Sequence, residues 1–148
     1  MSAQYLTALA LVTIGGVCIA TQAVINGRLS AHVGDPVTAA AISFIVAAVL
    51  LSAIVVARGA VPSGAVLASV PWWAWIGGAL GAFYVWSAVA SVGTLGVLTL
   101  MATLVFGQLI AALVLDAVGA FGLQVRDISW TRIAAVAMVA GGLLLSRI

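Results

Sequence analysis

Three side chains near the N-terminus could form one polar face of a helix. Cys18, Gln22 and Asn26 are spaced at i, i+4 and i+8, so they would point the same way from an α-helix. The amides of Gln22 and Asn26 can each donate and accept hydrogen bonds. Because an amide facing lipid is costly, we expect these amides to bond neighbouring helices or to contact a solute. A third possibility is that Asn26 only caps the end of the helix.

Other candidate binding residues lie deep within later apolar segments. Gln108 falls near the middle of one such segment, and Tyr84 and Trp86 lie similarly deep in the preceding one. Tryptophan usually prefers the membrane interface, so Trp86 at this depth could offer an aromatic wall to a cationic or aromatic solute. Simple packing explains Trp86 equally well. The sharpest hypothesis is that two copies of the chain, meeting as an antiparallel dimer, line one central cavity for a small solute with their Gln108, Tyr84 and Trp86 side chains.

Asp116 is the only carboxylate inside a predicted membrane span, about one turn from the end of that span. A carboxylate within a span can couple transport to proton movement. The alternative is structural: Asp116 is solvated, or paired with an arginine, at the membrane boundary.

Other kinds of chemistry find little support in the chain. Cys18 is the single cysteine and His32 the single histidine, which predicts neither a disulfide nor a metal site. No nucleophile–base pair and no phosphate-binding glycine loop appears. Five basic residues are too few for a nucleic-acid-binding surface. We therefore expect no enzyme activity, no cofactor and no nucleic-acid partner.

The composition indicates that a lipid bilayer surrounds these residues. Of the 148 residues, 66% are hydrophobic and 5% are charged, where a soluble domain has roughly a quarter charged residues. A span needs about 20 apolar residues, so the uncharged run 59–115 must hold two spans, with a break within residues 91–96. We predict an all-α integral membrane protein, a single domain over residues 1–148. Its five transmembrane helices are expected at about residues 5–25, 36–57, 72–92, 95–118 and 130–147.

Local signals mark where several of these helices begin. Asp35 is a predicted N-cap, with Pro36 at the first helical position. Ser129 is the predicted cap of the last helix. The sequence from Trp72 to Trp75 contains three tryptophans, which we expect to lie at the membrane interface.

Small residues at helical spacing predict close helix packing. Gly77 and Gly81 form a GxxxG pair, and Ala137 and Gly141 repeat the spacing in the last span. Helices in lipid gain little from the hydrophobic effect, so small residues that allow close approach favour their association. Packing is the preferred interpretation of all four residues.

The distribution of arginines leaves the orientation in the membrane unresolved. The loops on one side would hold Arg58, Arg126 and Arg132, whereas Arg28 and Arg147 would lie on the other side. A difference of one residue is a weak signal under the positive-inside rule. We therefore predict dual topology, in which two copies inserted in opposite directions meet as an antiparallel homodimer. The alternative is that one arginine fixes a single orientation.

Several residues together resemble the YdcZ-like family of small bacterial inner-membrane proteins, in the drug/metabolite transporter superfamily. The resemblance covers nearly the whole chain, with the matching residues in order and at similar spacing. They are Gln22-Ala23, Asn26, Leu29, Gly34-Asp35-Pro36, Ala41, Ser43-Phe44, Trp72 to Gly78, Gly81-Ala82, Gly107-Gln108, Asp116 and Gly119. The chain departs from the family pattern at Ala20-Thr21, where a proline is expected, and at Gly93 to Gly96, where a basic residue is missing.

The resemblance implies a five-helix protein of the bacterial inner membrane that works by alternating access. Relatives occur as single dual-topology chains, as paired chains of opposite topology and as fused ten-helix proteins. The small multidrug exporters of the same superfamily have an acidic residue near the middle of the first span, which this chain lacks. Proton-coupled export of organic cations by that route is therefore not expected.

The leading functional hypothesis is a secondary transporter that exports a small solute as an antiparallel homodimer. Two alternatives stay open. A channel-like dimeric pore needs a polar lining and no coupling carboxylate. A non-transporting membrane scaffold would use the glycine faces to bind a larger partner.

Overall fold

The computed structural model describes residues 3–146, and helices make up most of this part of the chain. The five α-helices are α1 (Ala3–Val33), α2 (Pro36–Ala57), α3 (Gly64–Ala68), α4 (Ile76–Val118) and α5 (Trp130–Leu145). Two short 3₁₀ turns lie at Trp72–Trp75 and Ala120–Gly122. Within residues 3–146, three continuous helical stretches are long and apolar enough to cross a membrane: Ala3–Val33, Pro36–Ala57 and Trp72–Val118.

Helix α1 is longer than the sequence predicts. It has 31 residues, or about 46 Å at 1.5 Å per residue, and continues through Asn26, which therefore does not cap it. It ends just before Gly34, whose φ of 80° suits glycine far better than other residues. The predicted cap of α2 is confirmed, because the Asp35 carboxylate accepts hydrogen bonds from the backbone N–H and the hydroxyl of Thr38, both at 2.6 Å.

Helix α4 consists of two helical arms joined at a glycine. Its 43 residues correspond to about 65 Å, roughly twice the thickness of the hydrocarbon core. At Gly96 the backbone leaves the helical region, with φ 71° and ψ 164°. The break falls within the predicted stretch of residues 91–96. It divides α4 into arm α4a (residues 76–95) and arm α4b (residues 97–118), each long enough for one span.

The chain divides into two compact units, residues 1–93 and 94–148. The first unit contains α1, α2, α3 and most of α4a. Its helices pack through small side chains: Ala39 is completely buried, and Ala23, Ala40 and Ala88 are 5% exposed. A Cβ atom on Gly27 would lie only 2.7 Å from Val92 Cγ1. Close approach of α1 to α4a at this point therefore requires a glycine.

The second unit consists of α4b and α5 with the connection between them. The two helices run antiparallel, because Thr99 pairs with Ser146 and Asp116 pairs with Arg132. Ser129 is confirmed as the cap of α5, since its hydroxyl accepts from the Arg132 backbone N–H at 3.4 Å. Gly119 ends α4b with φ 61°, and a Cβ there would lie 2.7 Å from the Val125 side chain.

Candidate functional site

The predicted polar face of α1 has two different environments. Asn26 is buried, and its Nδ2 donates to the Ser43 hydroxyl at 3.1 Å, which links α1 to α2. Gln22 and Cys18 are exposed. No hydrogen bond involves the Gln22 side chain among residues 3–146. Asn26 thus makes the interhelical bond that the sequence left open as an alternative to solute contact, whereas the exposed Gln22 makes no bond of this kind.

The two aromatic candidates lie on α4a and are only partly covered. Tyr84 is half-buried, and its carbonyl accepts from the Ser87 hydroxyl at 2.8 Å. Trp86 is 39% exposed, and its ring lies 5.6 Å from that of Phe83, centroid to centroid, at an interplanar angle of 54°. This separation and tilt are typical of an attractive aromatic pair. Trp86 therefore both packs within the chain and leaves part of its ring accessible.

Gln108 lies on α4b with its side chain exposed. The Gln108 side chain makes no hydrogen bond in the described part of the chain. Thr103, on the same arm, satisfies its own hydroxyl by donating to the Thr99 carbonyl at 2.8 Å, as threonines in helices commonly do. The Gln108 amide makes no such hydrogen bond to a carbonyl of its own helix. Gln108, like Gln22, is thus an exposed amide without a hydrogen-bond partner among residues 3–146.

Asp116 pairs with Arg132 near the connected ends of α4b and α5. The two side chains are 27% and 30% exposed, so the chain itself covers the ion pair only in part. Arg132 also donates to the Asp127 carbonyl at 3.4 Å. The arrangement matches the structural alternative for Asp116, an arginine-paired carboxylate. The sequence analysis allowed an arginine partner for Asp116 but did not identify Arg132 as that arginine.

The small residues that the sequence predicts to pack closely have open space beside them. A Cβ on Gly77 or Gly141 would meet no heavy atom within 4 Å, and a Cβ on Gly81 would lie 3.8 Å from the Phe44 ring. Ala137 is exposed. Neither Gly77 nor Gly141 is therefore closely packed within the unit that contains it. Gly27, which the sequence analysis did not single out for packing, is the glycine of α1 that a neighbouring side chain approaches closely.

The second unit also contains an open groove of about 430 Å³ between α4b and α5. Its lining is apolar except for Ser146, and none of the predicted binding residues contributes to it. The groove is lined by Leu98, Ala102, Val139, Gly142, Leu143, Leu145 and Ser146. Within residues 3–146, no cluster of three or more His, Cys, Asp and Glu side chains is placed to hold a metal ion.

Comparison with known proteins adds evidence that does not depend on this geometry. A family described as "Putative inner membrane exporter, YdcZ" matches residues 7–145. The chain is 33% identical over 90 residues to the "Inner membrane protein YdcZ" of Escherichia coli K12, an alignment covering 61% of this chain and 60% of that relative. The chain thus spans less than two thirds of the relative. No solved structure matches the chain. As the resemblance predicted, the chain belongs to the YdcZ family and is a multi-pass protein of the inner membrane.

Proposed function

We propose that this chain is a secondary transporter that exports a small solute by alternating access, working as an antiparallel homodimer. The observation that carries the proposal is the pair of exposed amides, Gln22 and Gln108, on helices that cross the membrane. Hydrocarbon offers neither donors nor acceptors, so an amide left in lipid loses its hydrogen bonds. Each amide therefore needs a water-filled cavity, a solute or a second copy of the chain.

The position of Gln108 along α4b suits a site shared between two copies. It lies about 18 Å from Gly96 and about 15 Å from Val118 along the helix, and is therefore close to the middle of the arm. In an antiparallel dimer, the two-fold axis lies in the membrane plane, and residues near the midplane of each copy come to the same depth. The open surfaces at Gly77 and Gly141 would allow the close helix contacts that such a dimer needs.

The break in α4 at Gly96 supports the alternating-access part of the proposal. The chain passes from the first unit to the second at residues 93 and 94, next to the break at Gly96. Glycine can take up large changes of φ and ψ that other residues resist, which is the property needed at a hinge. On the first unit, Gln22, Tyr84 and Trp86 are the candidate solute contacts. Asp116 is a weaker candidate for coupling because Arg132 already neutralises its charge.

Topology in the membrane provides the first test. One reporter active only in the cytoplasm and another active only outside are fused separately to the C-terminus. Activity of both reporters is expected, because the chain would insert in both directions. Activity of one reporter alone contradicts the antiparallel homodimer, and the search then turns to a separate partner chain or a parallel assembly.

Cross-linking tests whether Gln108 faces a second copy. In a Cys18→Ser background, Gln108→Cys is expected to form a dimer with a short bis-maleimide in native membranes. Ile110→Cys is the matched control, since two residues turn a helix by about 200° and Ile110 is also exposed. Equal cross-linking at both positions, or none at Gln108→Cys, contradicts a shared surface at this residue.

A second pair of cysteines distinguishes antiparallel from parallel assembly. Met101 and Leu115 lie seven residues to either side of Gln108, on the same side of the helix. Chains carrying Met101→Cys and chains carrying Leu115→Cys are expressed together with different tags. An antiparallel dimer is expected to give the mixed cross-link, whereas a parallel dimer gives only identical pairs.

Transport itself separates the proposal from a pore or a scaffold. Purified protein is screened with a panel of solutes for thermal stabilisation, because a bound solute stabilises the folded state by mass action. Hits are then tested for saturable uptake and counterflow in liposomes. Flux that neither saturates nor shows counterflow favours the channel-like pore, and the absence of any stabilising solute favours the scaffold.

A further inference from the structure

After Arg58, the connection between α2 and α4 continues through residues 59–75, a stretch that is unusually apolar for a segment outside the spans. This stretch contains no charged residue. Several of its large side chains are well exposed, including Val61 (64%), Trp72 (76%) and Trp75 (59%). A soluble surface rarely presents so much contiguous apolar area to water. We call residues 59–75 the tryptophan segment.

The backbone of this segment satisfies many of its own polar groups. Ser63 caps α3 by accepting from the Val66 N–H at 3.4 Å, and the Ser69 hydroxyl donates to the Val66 carbonyl at 2.7 Å. The Ser69 N–H bonds the Ala65 carbonyl at 3.2 Å, and the Ala74 N–H bonds the Pro71 carbonyl at 3.0 Å. A backbone paired in this way can enter a region poor in water at lower cost.

The 3₁₀ turn at Trp72–Trp75 gives the segment a defined aromatic side. Residues three apart lie on one line in a 3₁₀ helix, so Trp72 and Trp75 project on the same side of the turn. Each indole ring is apolar over most of its surface and carries one N–H donor. Such rings are most stable at the level of the lipid headgroups, where the ring is shielded and the N–H meets polar atoms.

We propose that the tryptophan segment lies in the plane of the membrane, at the boundary between phospholipid headgroups and acyl chains. Phospholipid is the favoured occupant of this surface because the segment continues directly from α2, which ends at Ala57, into α4, which begins at Ile76. Both helices are long and apolar enough to cross a membrane. The segment thereby fixes the depth of the ends of both helices. This inference does not depend on transport or on dimerisation.

Tryptophan fluorescence tests the depth of the segment. One variant keeps only Trp72, with the other tryptophans changed to phenylalanine, and a matched variant keeps only Trp86. Both are reconstituted in vesicles of phosphatidylethanolamine and phosphatidylglycerol carrying a nitroxide either near the headgroup or near the end of the acyl chain. Trp72 is expected to show blue-shifted emission and stronger quenching by the shallow nitroxide. Trp86 is expected to be quenched more strongly by the deep nitroxide.

Two results of this experiment would overturn the proposal. Quenching of Trp72 by aqueous iodide, without quenching by either lipid probe, would place the segment in water. Protection of Trp72 from iodide and from both lipid probes would show that protein covers it instead of lipid.

A spin label provides a second measurement that leaves every tryptophan in place. In the Cys18→Ser background, Leu67→Cys and His32→Cys are labelled separately in the same vesicles. Leu67 lies in α3, and His32 is the exposed control near the end of α1. Oxygen, which concentrates in lipid, is expected to relax the Leu67 label more than a water-soluble nickel chelate does, and the reverse is expected at His32. A Leu67 label that behaves like the His32 label contradicts the inference.

Discussion

The two units of the molecule hold their helices together in different ways. In the first unit, small residues such as Ala39 and Gly27 allow close contact, and one amide–hydroxyl bond joins Asn26 to Ser43. In the second unit, polar pairs connect α4b and α5 near both ends of the helix pair, and an open groove lies along the same two helices. Lipid supplies little hydrophobic driving force between helices. Close fit between small residues and polar pairs between helices are thus two ways to compensate for this weak driving force.

The largest effect is expected from Asp116→Leu, which leaves Arg132 without its counter-charge. Breaking a buried ion pair costs roughly 3–5 kcal/mol. Because the Asp116–Arg132 pair is partly exposed, we expect a loss of about 2 kcal/mol in the free energy of unfolding. Unfolding of the purified protein in detergent measures this loss.

A double variant and a control sharpen this test. Adding Arg132→Leu is expected to recover part of the loss, because no charge then remains unpaired. Arg126→Leu removes an exposed arginine from the same connection and should change stability little. If Arg126→Leu is as destabilising as Asp116→Leu, the ion pair is not what holds this end of the second unit.

A smaller effect is expected from Gly27→Ala in the first unit. The new methyl group would lie 2.7 Å from Val92 Cγ1, and valine has little freedom to move that methyl away. Overpacking costs about 1–3 kcal/mol, and for a single methyl group we expect the lower end, a loss of about 1 kcal/mol. Gly16→Ala is the matched control in the same helix, because a Cβ there meets nothing within 4 Å. It should be neutral or stabilising by about 0.5 kcal/mol. Similar losses for both variants would contradict the close contact at Gly27.

The bond between Asn26 and Ser43 is expected to contribute less. Interhelical hydrogen bonds in membranes contribute about 0.6 kcal/mol on average. A double-mutant cycle of Asn26→Leu and Ser43→Ala should therefore give a coupling energy of about 0.5–1 kcal/mol. A coupling energy near zero would show that packing of the small residues alone joins α1 to α2.

The smallest effect on stability is expected from Asp35, the N-cap of α2. The Thr38 hydroxyl and N–H, which donate to the Asp35 carboxylate, lower the pKa of Asp35 below its ordinary value of 3.8. A lowered folded-state pKa stabilises the fold above the unfolded pKa, and this stabilisation is lost as the pH falls through the folded value. Wild-type unfolding temperatures should decline in this acid range. Asp35→Asn, which can still cap a helix, should show a weaker decline. Identical acid profiles would exclude a contribution from the Asp35 carboxylate.

The sequence predicts features that depend on local chemistry. The caps at Asp35 and Ser129 follow from the side chains themselves, and the break at Gly96 lies in the predicted stretch. The length of α1 was missed because polar residues around Asn26 resemble a helix end, although no residue stops the helix before Gly34. Ser43 as the partner of Asn26, and Arg132 as the partner of Asp116, depend on which helices meet. One-dimensional spacing does not contain that information.

The short last helix makes the surrounding lipid part of the energetics of the second unit. Helix α5 has 16 residues, or about 24 Å, against an average hydrocarbon thickness of about 30 Å. The bilayer can thin around such a helix, and the elastic cost rises with each ångström of mismatch. Membranes of short-chain lipids should therefore match α5 better than thick ones do. The acyl-chain length of the lipid thus becomes a variable that an experimenter can adjust without changing a residue.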